Sequence, residues 1–260
     1  MHLASVVSFL SPGATLTLSG GQYWGAGSCG WKIASGHGID EAPITIRSTE
    51  GAVVDCDNAG PVIENVILTG NLKLEGIHFT NAYRSGGSGG VLWMERSSRI
   101  EIVDCRFSNS SSGEGGAVCV IGSHLLIADS HFEENTADTA GALAILDESH
   151  AVITNSVFVA CSAAVDAGAI FVARSSTLQL SRSHLLQNHA DNFGGALVAM
   201  HQSRVNISTT IFEANINLVW QGGALSVLYG SSIRISGRPR PNRGADFGYN
   251  SDPCPLQWNY

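Results

Sequence analysis

Asp104, Asp129 and Asn155 follow one another at nearly equal intervals along the chain. If the chain between them closes one coil, three oxygen-bearing side chains lie within roughly 10 Å along one line. Carboxylates gathered in this way hold a calcium ion or divide the roles of general acid and base. Arg182 takes the next place in the file. The plainer reading is a corner where Asp and Asn serve turn geometry. Basic side chains keep the same beat: His78, Arg106, His131 and His184 share one outward position, and Arg99, His124, His150 and Arg204 share another. Stacked His124 and His150 would supply two ligands to a metal ion, yet the sequence places no Cys or carboxylate to complete the set. The competing reading is a solvated basic stripe that partly discharges near neutral pH and meets anionic groups on a glycan or a protein.

The elements that must position these residues are set by a repeat. Phe79, Phe107, Phe132, Phe158, Leu185 and Phe212 recur at an almost constant spacing, and Gly90, Gly116, Gly141, Gly168, Gly195 and Gly223 run in parallel with them. The period, roughly 27 residues, is one that means stacked units. Within a unit, Ile100-Glu101-Ile102, Leu125-Leu126-Ile127 and Val205-Asn206-Ile207 alternate two inward apolar residues around a variable one, which is strand periodicity. A second such segment follows each glycine pair and a third surrounds the aromatic. Three short strands without a partner in their own unit must hydrogen-bond to their equivalents one unit away. The expected fold is therefore all-β, a single-stranded parallel β-helix with three short strands per coil.

Stacking accounts for several columns. Ser98, Ser123, Ser149, Ser176, Ser203 and Ser231 align at one corner. Asn81 or Asn109, then Asn135, Asn188 and Asn215, align within one residue at another, and amides stacked in that way bond along the axis. The residue between the two inward positions of the glycine-led strand should face outward, yet it reads Trp93, Cys119, Ala144, Phe171, Val198 and Ser226. So apolar a strip suits a contact surface. The chain's own tail, a neighbouring domain, or a sugar ring lying on Trp93 or Phe171 would cover it.

The chain has 260 residues, enough for one domain with a sizeable core. Thirty glycines and 14% charged residues suit a turn-rich β structure, and a net charge of -8 argues against nucleic acid or an acidic glycan as partner. No apolar run approaches the roughly 20 residues that cross a bilayer. Leu3, Val6, Val7 and Leu10 share one face of a short helix ending at Pro12-Gly13; lacking a basic residue ahead of it, this segment reads as a cap on the first coil. Residues 1–235 are expected to form the β-helix, with the cap and degenerate coils in 1–70 and regular coils in 71–235. The stretch 236–260 is expected to be an irregular last coil or closing tail. Cys105, Cys119 and Cys161 fall in different columns and should not pair, whereas Cys29 and Cys56 are able to. Asn109-Ser110-Ser111 and Asn206-Ile207-Ser208 are glycosylation sequons, Asn109 assigned to the corner ladder and Asn206 to the outside.

Phe132-Glu133-Glu134-Asn135 with Ala140-Gly141-Ala142, Leu185-Leu186-Gln187-Asn188 with Gly194-Gly195-Ala196, and Phe212-Glu213-Ala214-Asn215 with Gly222-Gly223-Ala224 resemble the tandem motifs of the polymorphic outer-membrane protein repeat family. The opening, Leu10 to Leu18 followed by Ile44-Thr45-Ile46-Arg47 and Val54-Asp55-Cys56, resembles the start of pectin-lyase-like β-helices. The resemblance implies a right-handed helix on a surface-exposed or secreted protein, with adhesion as the repeat family's best-known role. Gly36-His37-Gly38 is similar to a polygalacturonase motif, but its companions, an Asp pair and Arg-Ile-Lys, are missing. The expected function is a non-catalytic extracellular or surface scaffold for adhesion or recognition of a glycan or protein, monomeric or part of a longer chain and without a cofactor. The alternative is a polysaccharide lyase, hydrolase or epimerase using Asp104 and Asp129, with calcium as its cofactor.

Overall fold

The structure, a computed structural model, describes residues 3–25, 27–33, 42–66, 71–96, 99–219 and 223–236, with backbone alone at 65–66 and 257–259. Every strand pairing in it is in parallel register with the equivalent strand of a neighbouring coil. In one file Ile102, Ile127, Ile153, Leu180, Ile207 and Ile235 are partners in succession. In another Phe107, Phe132, Phe158, Leu185 and Phe212 are. The result is a parallel β-helix built from three sheets.

The sheets divide the coil a little differently from the alternation in the sequence. The segment around Ile102 and the segment around Phe107 belong to one sheet, because Asn71–Thr80 runs unbroken through the corner and pairs with Arg99–Val103 by its first half and with Arg106–Ser108 by its second. The glycine-led strands make a seven-stranded sheet from Ile63–Val66 to Leu225–Val227. The third sheet, of five short strands from Ser111–Glu114 to Ile216–Asn217, lies just after the aromatic, where polar residues hide any alternation.

The interior is a stack of identical side chains. Phe107, Phe132 and Phe158 are fully buried, with ring centroids 4.7 and 4.6 Å apart and rings within 5° of parallel. That spacing is set by the strand separation of about 4.8 Å, so each ring covers the next. The glycine column has a vertical cause: a Cβ on Gly168 would lie 2.1 Å from the Gly195 carbonyl oxygen and 2.6 Å from the His189 backbone. Coils approach too closely there for any side chain.

Corners turn through left-handed residues. Asp104, Asp129, Asn155, Arg182 and Thr209 have φ between 50° and 53°, and the column Asn81, Asn109, Glu134, Ala160, Gln187 and Ala214 lies between 51° and 55°. Buried polar ladders run beside left-handed corner residues. Ser123, Ser149, Ser176 and Ser203 each donate a backbone N–H to the Oγ of the following serine at 3.0–3.2 Å. Ser98 lies outside the described residues. The N–H groups of Ser110, Cys161 and Asn188 bond the Oδ1 of Asn135, Asn188 and Asn215 at 3.0–3.1 Å. Asn81 and Asn109 correct the expected register: they occupy the left-handed position one residue earlier, so Asn109 is exposed and outside the ladder. Asn206 points outward as read.

At the amino end, Leu3–Val7 is helical, and buried Leu3 and Val7 close the core with Leu10 packed beside them. The segments Ile44–Ile46 and Val53–Val54 belong to one twelve-residue strand, Ile44–Asp55, and the stretch after Gly20 contributes a strand of its own, Gly21–Trp24. Cys29 and Cys56 are joined by a disulfide, while Cys105, Cys119 and Cys161 are free and buried. Gln257–Asn259 adds a parallel strand beside Ser232–Ser236. Residues 237–256, among them Cys254, lie outside the described residues.

Candidate functional site

The acidic candidates sit on the rim of a depression of about 550 Å³. Within Ile44–Asp55 the register slips between Arg47 and Ala52, and Ser48, Thr49 and Gly51 of that segment line the depression. Glu75, His78, Asp104, Arg106, Asp129 and His131 line it. Both aspartates are exposed and left-handed, and Asn155 donates its side-chain amide to Asp129. The turn reading of this column therefore has a geometric basis, since Asp and Asn tolerate that backbone better than most residues.

The charges in the depression are matched to each other. Arg106 bonds Glu133 through Nε at 3.1 Å, and His131 Nε2 lies 3.2 Å from the other carboxylate oxygen. Burial alone would raise the Glu133 carboxyl, but the Arg106 hydrogen bond and charge, helped by His131, hold it below its ordinary value. His78 Nε2 lies 2.7 Å from Ser108 Oγ, which in turn bonds Thr80. Burial first, then the Arg106 charge, holds His78 below its ordinary value of 6.5, so it is neutral at pH 7. Donors and acceptors thus alternate along this face, and the carboxylate closest to the basic groups is already satisfied.

The second basic file is as expected in register. His124 and His150 pair across adjacent strands with ring centroids 5.2 Å apart, Arg99 and Thr177 flanking them, and both imidazoles are exposed. His150 Nδ1 lies 2.9 Å from the Glu148 carbonyl oxygen. Among the described residues no three His, Cys, Asp or Glu side chains gather into a metal-holding group. Arg99 reaches Glu101 at 3.5 Å, so the stripe is partly neutralised.

The apolar strip is covered by the coils themselves. Cys119, Ala144 and Val198 are fully buried and Phe171 is 7% exposed. They form a second apolar cluster on the far side of the glycine-led sheet, together with Ala140, Ala167, Leu146, Ala173, Met200 and Leu228. The strip does face away from the interior, and the left-handed corner residues Ala140 and Ala167, with Phe193 beside them, pack onto this face as well. Phe171 therefore offers no open ring to a sugar. Trp93 is half-buried, with the Arg84 guanidinium 5.7 Å from its ring centre, and its indole N–H is buried without a hydrogen-bond partner. His37 lies outside the described residues.

One group of residues escaped the sequence reading. Between the glycine-led sheet and the next strand the chain turns through two consecutive left-handed residues, Asp147-Glu148, Arg174-Ser175 and His201-Gln202, with Tyr229 and Gly230 following. These seven side chains, Gly230 excluded, line a groove of about 750 Å³. The signal was present in the even spacing of Asp147, Arg174, His201 and Tyr229, one to each coil. Four different residue types in one file gave no pattern to notice.

Residues 44–237 match the family described as right-handed β-helix region. No curated protein matches the chain. No helix among the described residues is long and apolar enough to cross a membrane.

Proposed function

The chain belongs to the right-handed β-helix family, and from that premise we propose that it is a non-catalytic recognition scaffold, displayed at a cell surface or outside the cell, that binds a glycan or a surface protein. The observation that carries this reading is the recurrence of polar and charged side chains in outward vertical files, such as Arg99, His124 and His150, which presents an extended line of contacts. The resemblance of its Phe-x-x-Asn and Gly-Gly-Ala motifs to the polymorphic outer-membrane protein repeats supports adhesion, and the Cys29–Cys56 disulfide suits an oxidising compartment. The regular coils of 71–235 are the binding body, and no cofactor is called for.

The depression beside Asp104 and Asp129 favours a second reading, a carbohydrate-active enzyme with those carboxylates as acid, base or calcium ligands. The two readings separate by incubation with pectate, alginate and related polymers, with and without calcium, followed by assay for unsaturated or reducing ends. The scaffold reading expects no new ends and retention of the protein on a glycan or cell-surface fraction. Turnover abolished by Asp129→Ala would replace it with the enzyme.

A further inference from the structure

We infer that the double left-handed corner carries a binding site for a neutral saccharide, centred on His201 and Tyr229; the inference rests on the recognition reading and names where recognition occurs. The two rings stack with centroids 5.0 Å apart and planes 7° from parallel. Tyr229 is 57% exposed, although aromatic rings of this size normally bury most of their surface. Stacking on His201 fixes the tyrosine ring in one orientation, so an incoming ring meets a preformed apolar face and loses little rotamer freedom on contact. The C–H face of a pyranose is the ligand surface that such a ring accepts while its hydroxyls stay hydrogen-bonded.

Hydrogen-bonding groups continue from the aromatic pair along the same groove. Arg174 Nη1 lies 3.4 and 3.5 Å from the two Asp147 carboxylate oxygens, which leaves the pair long and open at the surface. Ser175, Gln202 and Glu148 are exposed in the neighbouring file. Vicinal hydroxyls present one donor and one acceptor side by side, and an Arg–Asp pair offers the complementary set. The coil repeat of about 4.8 Å brings a fresh set of side chains at each step, so the four coils from Asp147 to Tyr229 span roughly 14 Å. That is a length on the scale of a short oligosaccharide.

Charge selects the class. Asp147 and Glu148 outnumber Arg174 within the groove, and the whole chain carries -8, so a uronate-rich polymer would be repelled where a neutral one is not. The rigid backbone supports the site from below. Glu148, Ser175 and Gln202 donate their N–H groups to the carbonyls of Arg174, His201 and Tyr229 at 2.9–3.0 Å. The lining residues of successive coils are therefore held at fixed spacing without ligand.

Affinity electrophoresis tests the site, with β-glucan, xylan, galactomannan or polygalacturonate cast in the gel. The whole chain should be retarded by at least one of the three neutral polymers and not by polygalacturonate. Tyr229→Asn removes the ring and keeps a residue suited to the left-handed backbone, and it should weaken retardation about tenfold, the size of one stacking contact. Tyr229→Phe should stay within about twofold. Asn206→Ala, an exposed change outside the lining of both depressions, should leave retardation unchanged, and thermal melting of each variant reports whether the coils remain intact. Retardation by a neutral polymer that survives Tyr229→Asn, or falls equally in Asn206→Ala, overturns this site and leaves the recognition reading standing. Retardation by polygalacturonate alone overturns the neutral-saccharide assignment. Absence of retardation by any polymer overturns the site, and if the protein also fails to bind cell-surface fractions the recognition reading falls with it.

Discussion

The side-chain amide of Asn188 makes three hydrogen bonds inside the coil stack: Oδ1 accepts from the Cys161 N–H at 3.0 Å, and Nδ2 donates to the Phe158 carbonyl at 3.0 Å and to Asn215 Oδ1 at 2.8 Å. Asn188→Ala strands the first two backbone groups away from water, at roughly 1–3 kcal/mol each. Urea unfolding of that variant should show a loss of about 3 kcal/mol. An exposed change such as Asn206→Ala should lie within about 0.5 kcal/mol of the parent. His78 sets a pH dependence. Burial and Arg106, with His131 acting the same way, lower its pKa against the opposing pull of Glu133 and Asp55. Below 6.5 the unfolded chain then binds more protons than the folded one, so this residue contributes stability that is present at pH 7 and lost as pH falls through the window beneath 6.5. Melting temperatures recorded from pH 7 to pH 5 should fall less steeply in His78→Gln than in the parent. At this scale the sequence showed the ladder at Asn135, Asn188 and Asn215. It did not place Asn81 and Asn109, because an amide one residue out of register satisfies the same spacing yet serves a left-handed turn.

Strands and corners obey a different constraint, since each is repeated by its neighbour above and below. A substitution that fits one coil must also fit between two. Phe132→Leu keeps an apolar side chain in a file that already contains Leu185, and it should cost about 1 kcal/mol. Gly168→Ala adds a single methyl group, but one that meets backbone oxygen of the next coil at 2.1 Å. It should cost more than about 3 kcal/mol or prevent folding, and comparison of the two thermal melts checks the order. The glycine spacing was plain in the sequence, whereas its cause lies in contacts with the next coil. The five short strands that follow the aromatic were not legible, because segments such as Thr136–Thr139 are polar and only half-buried. The covered face of the glycine-led sheet was hidden for a related reason: a corner alanine packing onto a strand leaves no periodic mark.

A solenoid is stable as a sum of coils and nearest-neighbour contacts, so its ends decide whether it unravels. Here Leu3 and Val7 close the first coil, and the Cys29–Cys56 disulfide ties together positions 27 apart in sequence beside them. Reduction of that bond should remove roughly 3–4 kcal/mol from the amino-terminal coils. Amide hydrogen exchange should then rise in residues 15–80 while residues 124–208 keep their protection. Equal loss of protection throughout would mean that the coils unfold as one cooperative unit. The same additive construction accounts for the surface: every outward file is a line of independent choices on a common scaffold, free to carry Asp, Arg, His and Tyr in succession.

Period and alternation were sufficient to derive coils, interior aromatic file, and serine and asparagine ladders from the sequence, because each depends on residues that repeat in register, and the capping helix was legible in the apolar face of Leu3, Val7 and Leu10. Which outward residues are reachable was decided only by the folded chain. Phe171 and Val198 are covered by corners that turn back over them, and Asp147, Arg174, His201 and Tyr229 share a groove. The physical reason is that stacking transmits identity along the axis, whereas exposure depends on how each turn crosses the neighbouring sheet, and that path is set by backbone angles at single corner residues.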